Sequence, residues 1–370
     1  MSDFRINKAG LENAMKIAML STESVENLIT GHCLFDINGT VLKVLATDKK
    51  NRLSLATIEI EQAPEIKFTA DPRTLLKLLK SIDGDTIKFK YTPENVTLQI
   101  FLSDNEENFL SLPSFDPSTY APINENFDKA YDLKTIKTDI FIKGLHFIKG
   151  FLDNKDKRFS NMYITQGVMY GANGSNKAGA YSTAELSGLD ELVFPLSTFP
   201  AMINLIETLD LKDIIIRTTS NQIFISSLKK DFIFGFTKVQ VKMPKMPIIT
   251  DEPNDPGWSI NRKAFLKKLN RLHLTGDAKL GVRFEFTPSN VLLSTVTDRP
   301  SKDQLPCNSL KESEDIKCIL ECRLLENVLE QFDSESIKFY ISKKVVVYSL
   351  DVIESTNFYT AAAISLSREG

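Results

Sequence analysis

Leu75 to Ile100 reads LLKLLKSIDGDTIKFKYTPENVTLQI, which is a short run of apolar residues at helical spacing, a turn from Ser81 to Gly84, and two alternating strands. The same order is written twice more. It recurs as MINLIETLDLKDIIIRTTSNQIFIS from Met202 to Ser226 and as LENVLEQFDSESIKFYISKKVVVYS from Leu325 to Ser349. These later helices begin roughly 125 residues apart, a spacing that suits domains and not a solenoid of about 20 to 50 residues per unit.

Working outward, each echoed segment is preceded by another amphipathic helix: KAGLENAMKIAML from Lys8, IFIKGLHFIKGFL from Ile140, and INRKAFLKKLNRLHL from Ile260. In the first, Leu11, Met15, Ala18 and Met19 fall on one face. Strand patterns fill the intervals, among them CLFDIN and TVLKVLAT, read as a hairpin through Asn38-Gly39. Short polar turns join many of these strands, so the sheets are expected to be antiparallel with one face on the helices. The class is α+β. Proline-rich polar stretches at residues 114–128 and 242–257 set the boundaries of three similar domains, 1–124, 125–252 and 253–370, each with two helices on antiparallel sheets.

A chain of 370 residues with 42% hydrophobic and 25% charged residues has the composition of a soluble globular protein, and no apolar run approaches the roughly 20 residues of a membrane span. No membrane partner is expected. The N-terminus lacks the pattern of a secretory signal, which points to a cytoplasmic location. Cys33, Cys307, Cys318 and Cys322 are too few and too irregular for a disulfide framework and read as buried, reduced thiols. No histidine stands at zinc-ligand spacing from Cys318 and Cys322 in the sequence, so no metal is expected.

Net charge is −3, which excludes a protein that binds nucleic acid through basicity all over. The charge is unevenly placed. The six predicted helices carry thirteen basic residues against seven acidic ones, leaving the strands and loops about nine charges net negative. Helices of this kind attract phosphates, while an acidic remainder discourages promiscuous binding. The competing reading is that lysines on NRKAFLKKLNR form an ordinary solvated face.

No catalytic constellation emerges. The Gly-rich run YGANGSNKAGAYS from Tyr170 has Ala178 after Lys177, departing from the phosphate-loop order, and follows a strand with no helix behind it. It reads as a turn. His32, His146 and His273 are scattered, and acid pairs such as Glu106 and Glu107 lie in polar turns. Neither an enzyme nor a cofactor is expected.

The repeat, the basic helices and several short stretches together resemble the bacterial-type DNA polymerase sliding clamp, the beta subunit of the replicative polymerase. The stretches are VLATDKKNRLSLA from Val44, LSLPSFDP from Leu110, VFPLSTFPAMINLI from Val193 and NFYTAAAISLS from Asn357. The resemblance spans nearly the whole chain. It implies the DNA clamp fold, with two subunits pairing head to tail into a homodimeric ring that encircles double-stranded DNA without reading its sequence. The ring tethers the DNA polymerase and other DNA-processing proteins, and a clamp loader places it on DNA.

On this resemblance the DNA-facing residues are Lys16, Arg73, Lys77, Lys80, Lys149, Lys263, Lys267 and Arg271. The pocket for partner peptides, between the second and third domains, is assigned to Tyr163, Gly174, Met243, Pro244, Ile364 and Leu366. The family's TDGHRL turn is replaced here by ANGSNKAGA and its Met-Pro-Met tail by ISLSREG, departures that a divergent, phage-encoded clamp with its own partner motif would explain. Phe109 and Leu274 fall at the implied subunit interface, with a place in the interior of their own domains as the competing reading. The competing function is a three-domain scaffold that binds proteins and forms no ring.

Overall fold

A computed structural model describes residues 2–23, 29–49, 51–102, 108–120, 127–153, 155–174, 177–241, 252–275, 281–311, 315–342, 344–353 and 356–365. The chain forms two compact units, one of residues 1–138 with 198–238 and the other of residues 139–197 with 239–370. The expected cut after residue 124 lies outside the described residues, and the cut after 252 borders such a stretch.

The first unit holds helices α1 (Lys8–Ala18) and α2 (Pro72–Ser81). Both begin where the sequence supplies a cap. The Asn7 side chain accepts the Gly10 N–H, and the Asp71 carboxylate accepts those of Arg73 and Thr74, with Pro72 in the first turn where its missing N–H costs nothing. Leu11 and Met15 of α1 and Leu75 and Leu79 of α2 are fully buried in one apolar cluster with Phe4, Phe35, Phe68 and Phe89.

Strands β1 (Ser2–Asn7), β2 (Cys33–Thr47), β3 (Arg52–Ala70), β4 (Thr86–Thr92), β5 (Thr97–Phe101), β6 (Phe109–Pro113) and β7 (Tyr131–Lys137) follow in this unit. After residue 197 come α4 (Phe199–Thr208), β12 (Asp213–Thr218), β13 (Gln222–Ser226) and β14 (Phe232–Thr237). They make a four-stranded sheet, β1-β4-β5-β6, and a six-stranded sheet, β2-β3-β14-β13-β12-β7. All the pairings are antiparallel among the described residues.

One expectation is corrected here. Asn38-Gly39 does not turn a hairpin; CLFDINGTVLKVLAT is a single strand, β2, with its register shifting on either side of Gly39. Gly39 has φ +62°, a conformation glycine adopts freely, and it makes a bulge in a strand whose partner β3 is longer still. The true turn lies between β2 and β3, where the Asp48 carboxylate accepts the N–H groups of Asn51 and Arg52.

The second unit holds α3 (Thr138–Lys149, from Asp139 on), α5 (Arg262–Thr275) and α6 (Cys322–Leu329). Its strands are β8 (Asn161–Thr165), β9 (Val168–Asn173), β10 (Lys177–Thr183), β11 (Leu192–Pro195), β15 (Gly257–Asn261), β16 (Gly281–Phe286), β17 (Asn290–Thr295), β18 (Lys302–Pro306), β19 (Asn308–Ser309), β20 (Ile316–Glu321), β21 (Ser336–Ile341), β22 (Lys344–Ile353) and β23 (Thr356–Ser365). A nine-stranded sheet runs β11-β8-β9-β10-β23-β22-β21-β15-β19, and a four-stranded sheet runs β18-β17-β16-β20. Phe265 of α5 meets Phe284 of the small sheet at 5.9 Å and Phe339 of the large one at 5.3 Å, so one ring joins the helix to both layers.

Candidate nucleic-acid interface and partner pocket

The helix cations divide by what they touch. Lys8 donates to the Ile82 carbonyl, Lys143 pairs with Asp333 at 3.2 Å, and Lys268 with Asp303 at 2.6 Å. Arg262 donates to the carbonyls of Ser334, Leu329 and Asp333 and so fastens the start of α5 to the chain after α6. These four have structural work. Lys77, Lys80, Lys149, Lys263 and Lys267 are exposed, and no carboxylate pairs with them among the described residues.

Spacing explains their direction. On α2, Arg73, Lys77 and Lys80 stand at i, i+4 and i+7, opposite the buried Leu75 and Leu79. On α5, Lys263, Lys267 and Arg271 stand four residues apart while Phe265, Leu269 and Leu272 are buried. Arg271 also approaches Asp303, at 3.8 Å, yet its side chain stays 57% exposed. Burial works to raise the Asp303 carboxyl, but the hydrogen bond from Lys268 and the charges of Lys268 and Arg271 leave it below the usual carboxylate range. Lys16 and Arg73 are half-buried, Lys16 beside Asn13 at 3.4 Å and Arg73 donating to the Thr22 carbonyl.

Tyr163 lies on β8 with its ring buried and its hydroxyl donating to the Arg158 carbonyl at 2.9 Å. It borders a cavity of about 460 Å³ lined by Tyr163 to Thr165, Glu191 to Val193 and Val239 to Val241. The lining is mostly apolar with acid at its edge. Asp190 is held below the usual carboxylate range, first by the Thr165 hydroxyl and then by the N–H groups of Gln166 and Glu191. An apolar floor with an anionic rim suits a short peptide bearing hydrophobic anchors.

Of the other expected pocket residues that the structure describes, Gly174 and Ile364, neither borders this cavity. Gly174 has φ +56° at the β9 to β10 turn, four residues along from Tyr170, and does not line the cavity. Met243, Pro244 and Leu366 lie outside the described residues. Ile364 is buried on β23 but faces away from Tyr163: the register runs Tyr163 to Tyr170 to Ala180 to Ala361, and side chains alternate, so Ala361 and Ala363 share the Tyr163 face.

Phe109 is 43% exposed on β6, the edge of its sheet, with the Phe101 ring 6.0 Å away. Leu274 is 85% exposed on the last turn of α5. Neither is interior to its unit. β18, which packs beside α5 through Lys268 and Asp303, is likewise an edge strand.

No protein-family model matches the chain, and no curated protein matches it by sequence. Solved structures do match. The DNA polymerase sliding clamp from Pseudomonas aeruginosa aligns with a TM-score of 0.77 over 100% of both chains at 14% identity. The sliding clamp from Caulobacter crescentus gives 0.78 at 12% identity, and the DNA polymerase III beta subunit from Thermotoga maritima 0.73 at 14%, again over 100% of both chains.

The fold is that of a DNA polymerase sliding clamp.

Within the clamp fold, sequence reasoning missed the cavity residues Ile164, Leu192, Val239 and Val241. VFPLSTFP marked the neighbourhood of Leu192 and Val193 without saying that β11 pairs with β8. The strand pattern of NFYTAAAIS could have placed Ala361 and Ala363 on a common face, but which face required the register.

Proposed function

We propose that this protein is a DNA polymerase processivity factor that encircles duplex DNA as a homodimeric ring of three clamp domains per subunit, 1–124, 125–252 and 253–370. The observation that carries the reading is the end-to-end match to clamps over all of both chains, together with exposed helix lysines that no described carboxylate pairs with, in an acidic chain. Lys16, Arg73, Lys77, Lys80, Lys149, Lys263, Lys267 and Arg271 would face the DNA, touching phosphates without reading bases, which leaves the ring free to slide.

Closure follows from two unpaired sheet edges: β6 of one subunit adds to β18 of the next, and Phe109 and Leu274 are covered at that seam. The cavity beside Tyr163 receives the peptide of the polymerase and of other DNA-processing partners, with Met243, Pro244 and Leu366 as further members. A clamp loader opens the ring. The protein acts in the cytoplasm and performs no chemistry of its own. No described helix is long and apolar enough to cross a membrane.

The test is primer extension on a singly primed circle with the partner polymerase and loader. The protein lengthens products made in a single binding event, and Phe109→Lys, which leaves a monomer by light scattering, abolishes the gain. Product lengths unaffected by the wild-type protein would contradict the reading.

A further inference from the structure

Three unlike donors meet where the end of α5 packs against α6. Cys322 and Glu326 stand one helical turn apart and project from the same face of α6, while His273 comes from the last turn of α5, 49 residues earlier. His273 Nδ1 lies 3.1 Å from Glu326 Oε2, and Cys322 Sγ lies 3.8 Å from Glu326 Oε1. One donor atom from each of the three falls within 4.8 Å of the other two. A tetrahedral ion bonded at about 2.0 Å to nitrogen and oxygen and about 2.3 Å to sulfur spaces its ligand atoms roughly 3.3 to 3.7 Å apart, so only small side-chain adjustments are needed.

The surroundings favour a cation. Glu326 is 7% exposed, and among the described residues no lysine or arginine pairs with its carboxylate, whose two oxygens lie against the imidazole and the thiol. A carboxylate buried this far needs compensating positive charge. A divalent ion held by all three side chains supplies that charge. Cys322 is buried and His273 half-exposed, so the cluster opens to solvent on the His273 side. The mixture of thiolate, imidazole and carboxylate is the donor set of zinc-class ions, and three protein ligands leave a fourth position for water.

We propose that His273, Cys322 and Glu326 bind a zinc-class divalent cation that ties the last turn of α5 to α6. The sequence spacing of Cys318 and Cys322 concealed the site because its histidine arrives across the helix pair. The site lies within one compact unit, on the last turn of the helix that carries Lys263, Lys267 and Arg271 among the proposed DNA contacts. Since His273 precedes the exposed Leu274, the ion also fixes the turn that presents that leucine.

The experiment uses the full chain, stripped by chelator and titrated with Co²⁺, then with Zn²⁺ in competition. The expected result is one equivalent of Co²⁺ with a thiolate-to-cobalt charge-transfer band, displaced by Zn²⁺. Cys322→Ser removes the band, and His273→Ala, at a half-exposed position, weakens binding by more than about a hundredfold, beyond what removal of an outer partner does. Cys318→Ser leaves band and affinity unchanged. Circular dichroism without metal establishes that each variant is folded. A wild-type protein that binds no Co²⁺, or a band that survives Cys322→Ser, overturns the proposal.

Discussion

Arg217 is 6% exposed, and its guanidinium donates to the carbonyls of Ala130 and Phe127 and to Asp132 at 3.0 Å. Removing it takes a donor from each of those acceptors, with Lys230 still on Asp132 and the Ala130 N–H still on the Phe127 carbonyl. Arg217→Met is expected to lower stability by about 2 kcal/mol in urea unfolding, and Arg217→Lys to recover little, because an ammonium cannot span three acceptors set for a planar fork. Asp132 adds a pH dependence. The hydrogen bond from Lys230, and after it that of Arg217, holds the carboxyl below its usual range against a burial penalty. A depressed folded value means that this contribution is present above the unfolded carboxylate range of about 4 and is lost as pH falls through the folded value. Urea midpoints of wild type and Asp132→Asn should therefore differ at pH 7 and converge at low pH.

At this scale the sequence was informative about charge and poor about partners. Chain spacing already set Lys77, Lys80, Lys263 and Lys267 apart on their helices, since a helix has one period. That Lys8, Lys143 and Lys268 are tied down depended on Ile82, Asp333 and Asp303, which no local pattern connects to them. His273 and Glu326 are the same case across 53 residues.

At the scale of the element, helices were legible because their apolar stripe and caps are local; Asn7 and Asp71 mark starts that the structure uses. Strands were legible as strands but not as faces. Asn38-Gly39 has the chemistry of a tight hairpin, yet β2 continues through it because β3 offers a partner along its length. Ile364 was placed in the pocket by position, and the register turns it to the other face. Val193 borders the cavity and is only half-buried. Val193→Glu is expected to weaken a bound partner peptide by about tenfold or more, a loss of about 1.4 kcal/mol, while Ile364→Val leaves its affinity unchanged, both read by fluorescence anisotropy. For α2, Lys77→Glu with Lys80→Glu should reduce the slope of log affinity for duplex DNA against log salt by roughly 0.9 for each phosphate that the helix no longer neutralises. An unchanged slope would place α2 away from the DNA.

At the scale of the whole molecule, LLKLLKSIDGDTIKFKYT and its two echoes were legible because each forms the same local order, a helix followed by two paired antiparallel strands: α2-β4-β5, α4-β12-β13 and α6-β21-β22. Association of subunits depends on surfaces that a single chain leaves bare. Leu274→Lys and Phe109→Lys each place a charge in the proposed seam and should shift the light-scattering mass from two subunits to one, with the circular dichroism spectrum retained because both residues are exposed in their own units. A dimer that persists in both variants would move the seam elsewhere.

Encirclement itself is tested by loading the protein onto nicked circular DNA with its clamp loader, removing free protein, and cutting the circle at one site. The account predicts that protein stays on the intact circle and is lost once the DNA is linear, because a ring held by weak phosphate contacts slides off a free end. Equal retention on the circle and on the cut DNA would contradict it and leave an ordinary DNA-binding protein.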